Sequence, residues 1–137
     1  MTHEELLKIA IEARENAYVP YSRFAVGAAL LAKSGKVYRG CNVENAAYGP
    51  TNCAERTAFF TAVCAGEREF EALAICGGPA GKPVSELCAP CGVCRQVIRE
   101  FCPDDFPIVL TTDGTKLYET TLAELLPLSF SANDLNK

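Results

Sequence analysis

Cysteine is the residue type in this chain whose spacing says most about chemistry. In "CAPCGVCRQV" three thiols stand at positions 88, 91 and 94. Residues three apart share one face of a helical first turn, so Cys91 and Cys94 can both reach one tetrahedral ion at about 2.3 Å. Pro90 favours a break in the chain before Cys91, and Gly92 lets the backbone tighten after it. Cys88 lies upstream of that break and is the weaker ligand candidate. A C-x-x-C pair opening a helix also suits a redox couple, so a third ligand is needed to separate the two chemistries. "TNCAERTAFF" supplies one in Cys53, at the start of another helix and after Asn52, a good N-cap residue. Three thiolates with one open position are the arrangement of a catalytic rather than a structural zinc site.

Glu55 gains a use from that arrangement. Helical side chains lean toward the N-terminus, so a glutamate two positions after Cys53 can turn toward the open position without binding the metal. Zinc lowers the pKa of bound water from about 15.7 to about 7, and a nearby carboxylate can take the water's proton. The plainer reading is a capping box with Asn52, or a favourable charge at the positive end of the helix. Three thiolates raise a difficulty of their own, because their summed charge opposes the field of Zn²⁺. Arg56 can offset it by donating hydrogen bonds to thiolate sulfur, helped by two helix N-termini; taken alone it would be an exposed helix arginine.

These side chains need elements to hold them. Residues 4 to 18 place Leu6, Leu7, Ile9, Ala10, Ala13 and Ala17 at helical spacing, with a stop at Pro20. "FAVGAALLAKSGKVYRGCNVEN" predicts two strands around a Ser34-Gly35 turn. A second helix is expected from Asn52 to about Ala65, ended by Gly66. "FEALAICGG" predicts a buried strand, Gly92 to Phe101 a third helix, "FPIVLTTDG" a strand, "TKLYE" an edge strand and "TLAELLP" a short last helix. Strands separated by crossover helices imply an α/β, three-layer α-β-α sandwich with a mixed central sheet of about five strands. Residues 1–137 are read as a single domain.

The bulk composition narrows the partners. Hydrophobic residues make up 49% and charged residues 22%, which fits a globular chain able to bury a core. A formal net charge of -4 lacks the electrostatic footprint that nucleic acid or an anionic membrane demands, so a small neutral ligand is expected. No apolar run approaches the ~18 residues of a membrane span, and the acidic N-terminal stretch is unlike a signal peptide, which points to the cytoplasm. In that reducing setting the eight cysteines are core residues, ligands or nucleophiles. Cys41, Cys64, Cys76 and Cys102, in apolar or periodic runs, read as core.

Cysteine-alanine-glutamate followed by proline-cysteine-x-x-cysteine matches the zinc deaminase signature, with cysteine where histidine is often found. With these motifs in hand, the sequence closely resembles the cytidine deaminase family, in its small form with three cysteine ligands. "PYSRFAVGAALL", "GCNVENAAYG", "CAERTA", "PCGVCRQV" and "LLPLSF" fall in the family's order over nearly the whole chain. The resemblance implies hydrolysis of cytidine and deoxycytidine to uridine and deoxyuridine with release of ammonia, in pyrimidine salvage. It implies one Zn²⁺ per subunit on Cys53, Cys91 and Cys94, with Glu55 as proton shuttle. Asn42 and Glu44 match residues that bind the ribose, Phe24 an aromatic that packs against the pyrimidine, and Ala54 a residue whose backbone meets the base edge. Tyr48 and Phe130 match aromatics presented to a neighbour's site in a homotetramer. Pro50 and the "SELCAPC" lead-in with Cys88 depart from the commonest family spacing.

Three rivals remain at this point. A thiol-disulfide oxidoreductase would use "CGVC" and leave Cys53 and Glu55 unexplained. A noncatalytic zinc module would need a fourth protein ligand, for which Cys88 is the sequence-near candidate. A deaminase of another substrate, such as a nucleoside antibiotic, keeps the chemistry. A phosphate-binding loop around "AGKPV" fails, since it would require glycine at Cys76 and serine or threonine at Pro83.

Overall fold

The computed structural model describes residues 1–136. Helix α1, His3–Arg14, begins with a capping box in which Thr2 accepts from the Glu5 backbone and the Glu5 side chain accepts from Thr2. It buries Leu6, Leu7, Ala10 and Ala13. The helix ends at Arg14, short of the helical pattern expected through residue 18. Tyr18 leaves it to exchange backbone hydrogen bonds with Asn42 and Glu44, at 3.0 and 2.9 Å, and these replace helical ones.

Strands β1, Phe24–Ala32, and β2, Val37–Cys41, form the expected antiparallel hairpin, turning at Gly35 with φ of 93°. Helix α2, Ala54–Cys64, carries the chain to β3, Phe70–Pro79, and α3, Gly92–Phe101, carries it to β4, Pro107–Leu110. Strand β5, Tyr118–Thr121, completes one sheet in the order β2-β1-β3-β4-β5. Only β3 and β4 pair in parallel; the other neighbours are antiparallel, so the sheet is mixed as expected.

Alternation along β1 and β3 decides which helix sees which residue. Ala29, Leu31, Ala72, Ala74 and Cys76 meet α1, whereas Ala28, Leu30, Leu73 and Ile75 join Ala54, Ala58, Phe59 and Ile98 of α2 and α3. Central strands covered on both faces read as near-continuous apolar runs, which is why "FAVGAALLA" shows no polar residue.

Other boundaries move for local reasons. Asn52 does not cap α2: its backbone bridges Val43 in both directions at 3.0 Å and its amide donates to Thr57, so Cys53 takes the N-cap place. The expected strand at 106–114 stops at Leu110. There Thr111 Oγ1 accepts from Gly114 N and Asp113 Oδ1 from Thr115 N and Lys116 N, folding 111–116 into a turn. That turn shifts the edge strand to 118–121, and the last expected helix is one turn, Leu122–Leu125 (α4). A short α5, Ala132–Leu135, starts at Ser131 and was not anticipated. Cys76 and Cys102 are core as expected, but Cys64 is exposed because it lies on the outer face of α2.

Candidate metal centre and active site

Two helix N-termini converge on the opposite side of the sheet from α1. Cys53 is the N-cap of α2 and Cys91 the N-cap of α3, both in extended backbone, while Cys94 sits in the first turn of α3 with no exposed surface. The Cys91 sulfur accepts from the Cys94 backbone N–H at 3.4 Å, so one ligand helps shape the turn that carries another. Sγ of Cys53 lies 3.7 Å from Sγ of Cys91, which lies 3.1 Å from Sγ of Cys94, and all three fall within 4.8 Å of one another. Tetrahedral zinc with ligands at about 2.3 Å sets sulfurs about 3.8 Å apart, inside that range. The donor set therefore fits zinc. Cys88 stands outside this cluster, which among the described residues is the one group of three or more metal-binding side chains.

Glu55 follows Cys53 by two residues and is 4% exposed. Burial first, and then the negative charge of Cys53, raise its pKa to about 7. A buried carboxyl held near neutrality can both take and give a proton. Arg56 meets the same cluster: its Nη2 donates to the Cys53 sulfur at 3.3 Å, while its Nε is buried without a partner. Hydrogen bonding from Cys94 and then from Arg56 draws Cys53 down to about 5, and the same contact pushes Cys94 up. Cys53 is thus drawn toward its thiolate form by its neighbours in the cluster. The positive ends of α2 and α3 act in the same direction.

Strand β2 seats this apparatus through Gly40. A Cβ there would stand 2.1 Å from the Ala54 carbonyl oxygen and 2.7 Å from the Ala58 nitrogen, so glycine permits the first turn of α2 to lie directly on the strand. Ala54 itself is fully buried in that contact. Nothing in the local sequence around Gly40 announces the approach.

The other expected site residues divide into two groups. Phe24 opens β1 beside Gly77 of β3, where Phe24 Cε1 and Cys88 Sγ both crowd the space a Cβ would take, at 3.0 and 2.7 Å. Cys88 is pushed up to about 12 by burial and next by the charge of Glu55, which puts Phe24, Cys88 and Glu55 in one neighbourhood. Asn42 and Glu44 are both engaged by the backbone of residues 21–26. The Asn42 amide donates to Phe24 O and accepts from Val26 N, each at 2.9 Å. The Glu44 carboxylate accepts from the Tyr21 and Ser22 backbones at 3.0 Å and from the Ser22 hydroxyl. Those bonds hold its pKa below the usual carboxylate range, the Ser22 hydroxyl most of all.

Glu44 also lines a cavity of about 340 Å³ with Tyr21, Ser22, Asn45, Tyr48 and Thr51. Tyr48 is 77% exposed, with its ring edge-on to Tyr21 at 6.4 Å, and Phe130 is 58% exposed, its backbone carbonyl accepting from the side-chain amide of Gln96 at 2.9 Å. Ser22, which bonds to Glu44 and lines the same cavity, is a residue that motif reading passed over. Its one signal was the "PYS" turn preceding Phe24.

Comparison with known proteins falls on the same motifs. Residues 1–110 match the family model described as the cytidine and deoxycytidylate deaminase zinc-binding region. A cytidine deaminase of Sporosarcina psychrophila is 56% identical over 136 residues, covering 99% of this chain and 96% of its own. The crystal structure of a cytidine deaminase from Burkholderia pseudomallei superposes with a TM-score of 0.85 at 50% identity, over 95% of this chain and all of that one. A blasticidin-S deaminase of Bacillus cereus is 33% identical over 132 residues, 94% of this chain and 92% of its own.

Proposed function

The chain belongs to the cytidine and deoxycytidylate deaminase family, and we propose that it hydrolyses cytidine and deoxycytidine to uridine and deoxyuridine, releasing ammonia. The observation that carries this reading is the three-sulfur cluster with a buried carboxyl beside it and, among the described residues, no fourth protein ligand within the cluster. An oxidoreductase would have no use for Cys53 beside Glu55, and a structural zinc module would close the sphere.

Cys53, Cys91 and Cys94 hold the zinc ion, which when bound supplies Lewis acidity that brings the pKa of water toward neutrality. Glu55 takes one proton from the attacking water and passes it to the ring nitrogen, then takes the remaining proton of the added hydroxyl and passes it to the departing amine. A C–O bond forms at C4 of the pyrimidine as the C–N bond breaks, and the amine leaves as ammonia. Arg56 offsets the thiolate charge through its bond to the Cys53 sulfur. Phe24 packs on the base, the Ala54 backbone meets the base edge, and Asn42 and Glu44 receive the ribose. Their existing bonds to the backbone of residues 21–26 support this role, since an amide and a carboxylate fixed in advance lose little freedom on binding.

We read residues 1–137 as one deaminase domain that assembles as a homotetramer, with Tyr48 and Phe130 entering neighbouring sites. Their exposure supports that reading. A cytoplasmic place in pyrimidine salvage agrees with the absence, among the described residues, of any helix long and apolar enough to cross a membrane. The blasticidin-S deaminase likeness makes a nucleoside antibiotic the second substrate to try.

The test is ultraviolet monitoring of cytidine with wild type and Glu55→Ala. Wild type should deaminate, and the variant should lose about 10²–10⁴-fold in kcat while keeping its zinc. A fully active Glu55→Ala enzyme would overturn the assignment.

A further inference from the structure

Arg14 lies on the far side of the sheet from the metal ligands and is 6% exposed. Its guanidinium makes three hydrogen bonds, all to backbone carbonyls: Nε to Ala25 at 3.0 Å, Nη1 to Lys82 at 2.9 Å and Nη2 to Pro79 at 2.7 Å. Those acceptors come from the start of β1, the end of β3 and the loop leading to α3. None of the ion pairs among the described residues includes Arg14. A buried guanidinium whose acceptors are only strand ends is an expensive way to fasten a helix, since desolvating a charge costs more than burying an aliphatic side chain returns. Its planar fork is suited instead to fixing three oxygens at set angles.

What those oxygens belong to gives the arrangement its meaning. Ala25 follows Phe24, and Phe24 pairs in register with Pro79, so two of the three bonds bracket the residue that faces the site. The same short segment is held from the site side by other groups. Asn42 binds Phe24 O and Val26 N, Ser22 Oγ accepts from Phe24 N at 3.0 Å, and Ala80 N donates to Arg23 O at 2.8 Å. Arg23 adopts a left-handed φ of 57°, which a side chain other than glycine keeps only where its surroundings impose it. Among the described residues, Arg14 is the side chain whose bonds join the start of β1 to the end of β3 and the β3–α3 loop.

We propose that Arg14 is a positioning residue for the reaction, fixing Phe24 and the Pro79–Lys82 segment at the rim of the site from the opposite face of the sheet. This rests on the reading of Phe24 as the residue that packs against the base. Phe24 would make that contact in ground and transition states alike, so misplacing it should raise KM more than it lowers kcat.

Arg14 also lines an open cleft of about 540 Å³ that includes Glu15, Lys82 and Asp113, and this makes a chemical test practicable. In Arg14→Ala the vacated space would be continuous with the cleft, so ethylguanidinium could enter where the side chain was. The experiment measures KM, kcat, zinc content and amide exchange for wild type, Arg14→Ala and Arg14→Lys. Expected for Arg14→Ala is KM for cytidine raised about tenfold, by displacement of a contacting group, with kcat within about twofold. Zinc should stay at wild-type stoichiometry. Exchange should rise in residues 22–26 and 79–83 and not in the first turns of α2 and α3. Millimolar ethylguanidinium should lower KM, and ethylammonium, a cation without the fork, should not.

Unchanged KM in a zinc-loaded Arg14→Ala protein would overturn the proposal. So would a raised KM accompanied by uniform exchange and no rescue, which describes general loosening. If Arg14→Ala does not fold, Arg14→Lys decides: its ammonium cannot span three carbonyls, so wild-type KM in that variant refutes the role and a raised KM supports it. Should wild type leave cytidine unchanged, the substrate assignment fails, while the exchange pattern still tests what Arg14 holds.

Discussion

Arg56 stands where two requirements of one centre conflict. Three thiolates hold zinc tightly, yet their charge weakens the Lewis acidity that hydrolysis needs. A guanidinium donating to the Cys53 sulfur at 3.3 Å removes electron density from one ligand without displacing it. Residues that bond to metal ligands typically change activity or affinity by about 10–100-fold, so Arg56→Gln should lower kcat on that order. Arg56 is partly buried with its Nε already lacking a partner, so its replacement should cost little folding stability. Turnover at full zinc occupancy, measured beside the thermal midpoint, checks this; a variant that melts early but turns over normally would assign Arg56 to folding instead.

Glycines fix where the helices stand. Gly40 lets α2 lie on β2, and Gly27 does the same for α1, since a Cβ there would stand 2.0 Å from the Ala10 carbonyl. Gly27→Ala and Gly40→Ala should each cost about 1–3 kcal/mol or more, because the clash is with backbone that cannot rotate away. Their effects on the site should differ. Gly40→Ala displaces the turn that carries Cys53 and Glu55 and should weaken zinc retention against a chelator, whereas Gly27→Ala moves a helix without ligands and should leave retention near wild type. Urea midpoints and chelator competition on the two variants would tell them apart. Equal zinc loss in both would show that Gly40 has no special part in seating the ligands.

For the whole molecule, the cluster joins helices that enter the sheet at different points, so metal and fold should be linked. A ligand that binds the native state alone, present at about 1,000 times its Kd, stabilises by about 4 kcal/mol. Stripping zinc should therefore lower the thermal midpoint by several degrees, with readdition restoring it. The proposed tetramer adds a concentration dependence. Tyr48 and Phe130 lie open in the single chain, so specific activity should fall on dilution through the dissociation range and return on concentration. Constant specific activity in a demonstrated monomer would remove both aromatics from the site.

Much of this was legible in the chain because it is local. The i, i+3 spacing of Cys91 and Cys94 places two sulfurs on one helical turn whatever surrounds it, and the hairpin follows from alternation and a Ser-Gly turn. Boundaries were less legible where partners are distant. Residues 16–18 have the composition of a helix end, but Tyr18 bonds to Asn42 and Glu44, and Asn52 loses its capping place to a bridge with Val43. The sequence alone determined the donor set, the carboxylate beside it and the family whose motifs it carries, since each depends on residue identity and short spacing. The tertiary structure decided that Cys53 lies 3.7 Å from a sulfur 38 residues away, that Asn42 and Glu44 are braced before any ligand arrives, and that Arg14 holds the carbonyl of Ala25, next to Phe24, from the other face of the sheet. Those distances depend on sheet order and on two glycine-sized gaps, and contacts between residues far apart in sequence are chosen by how the whole core closes.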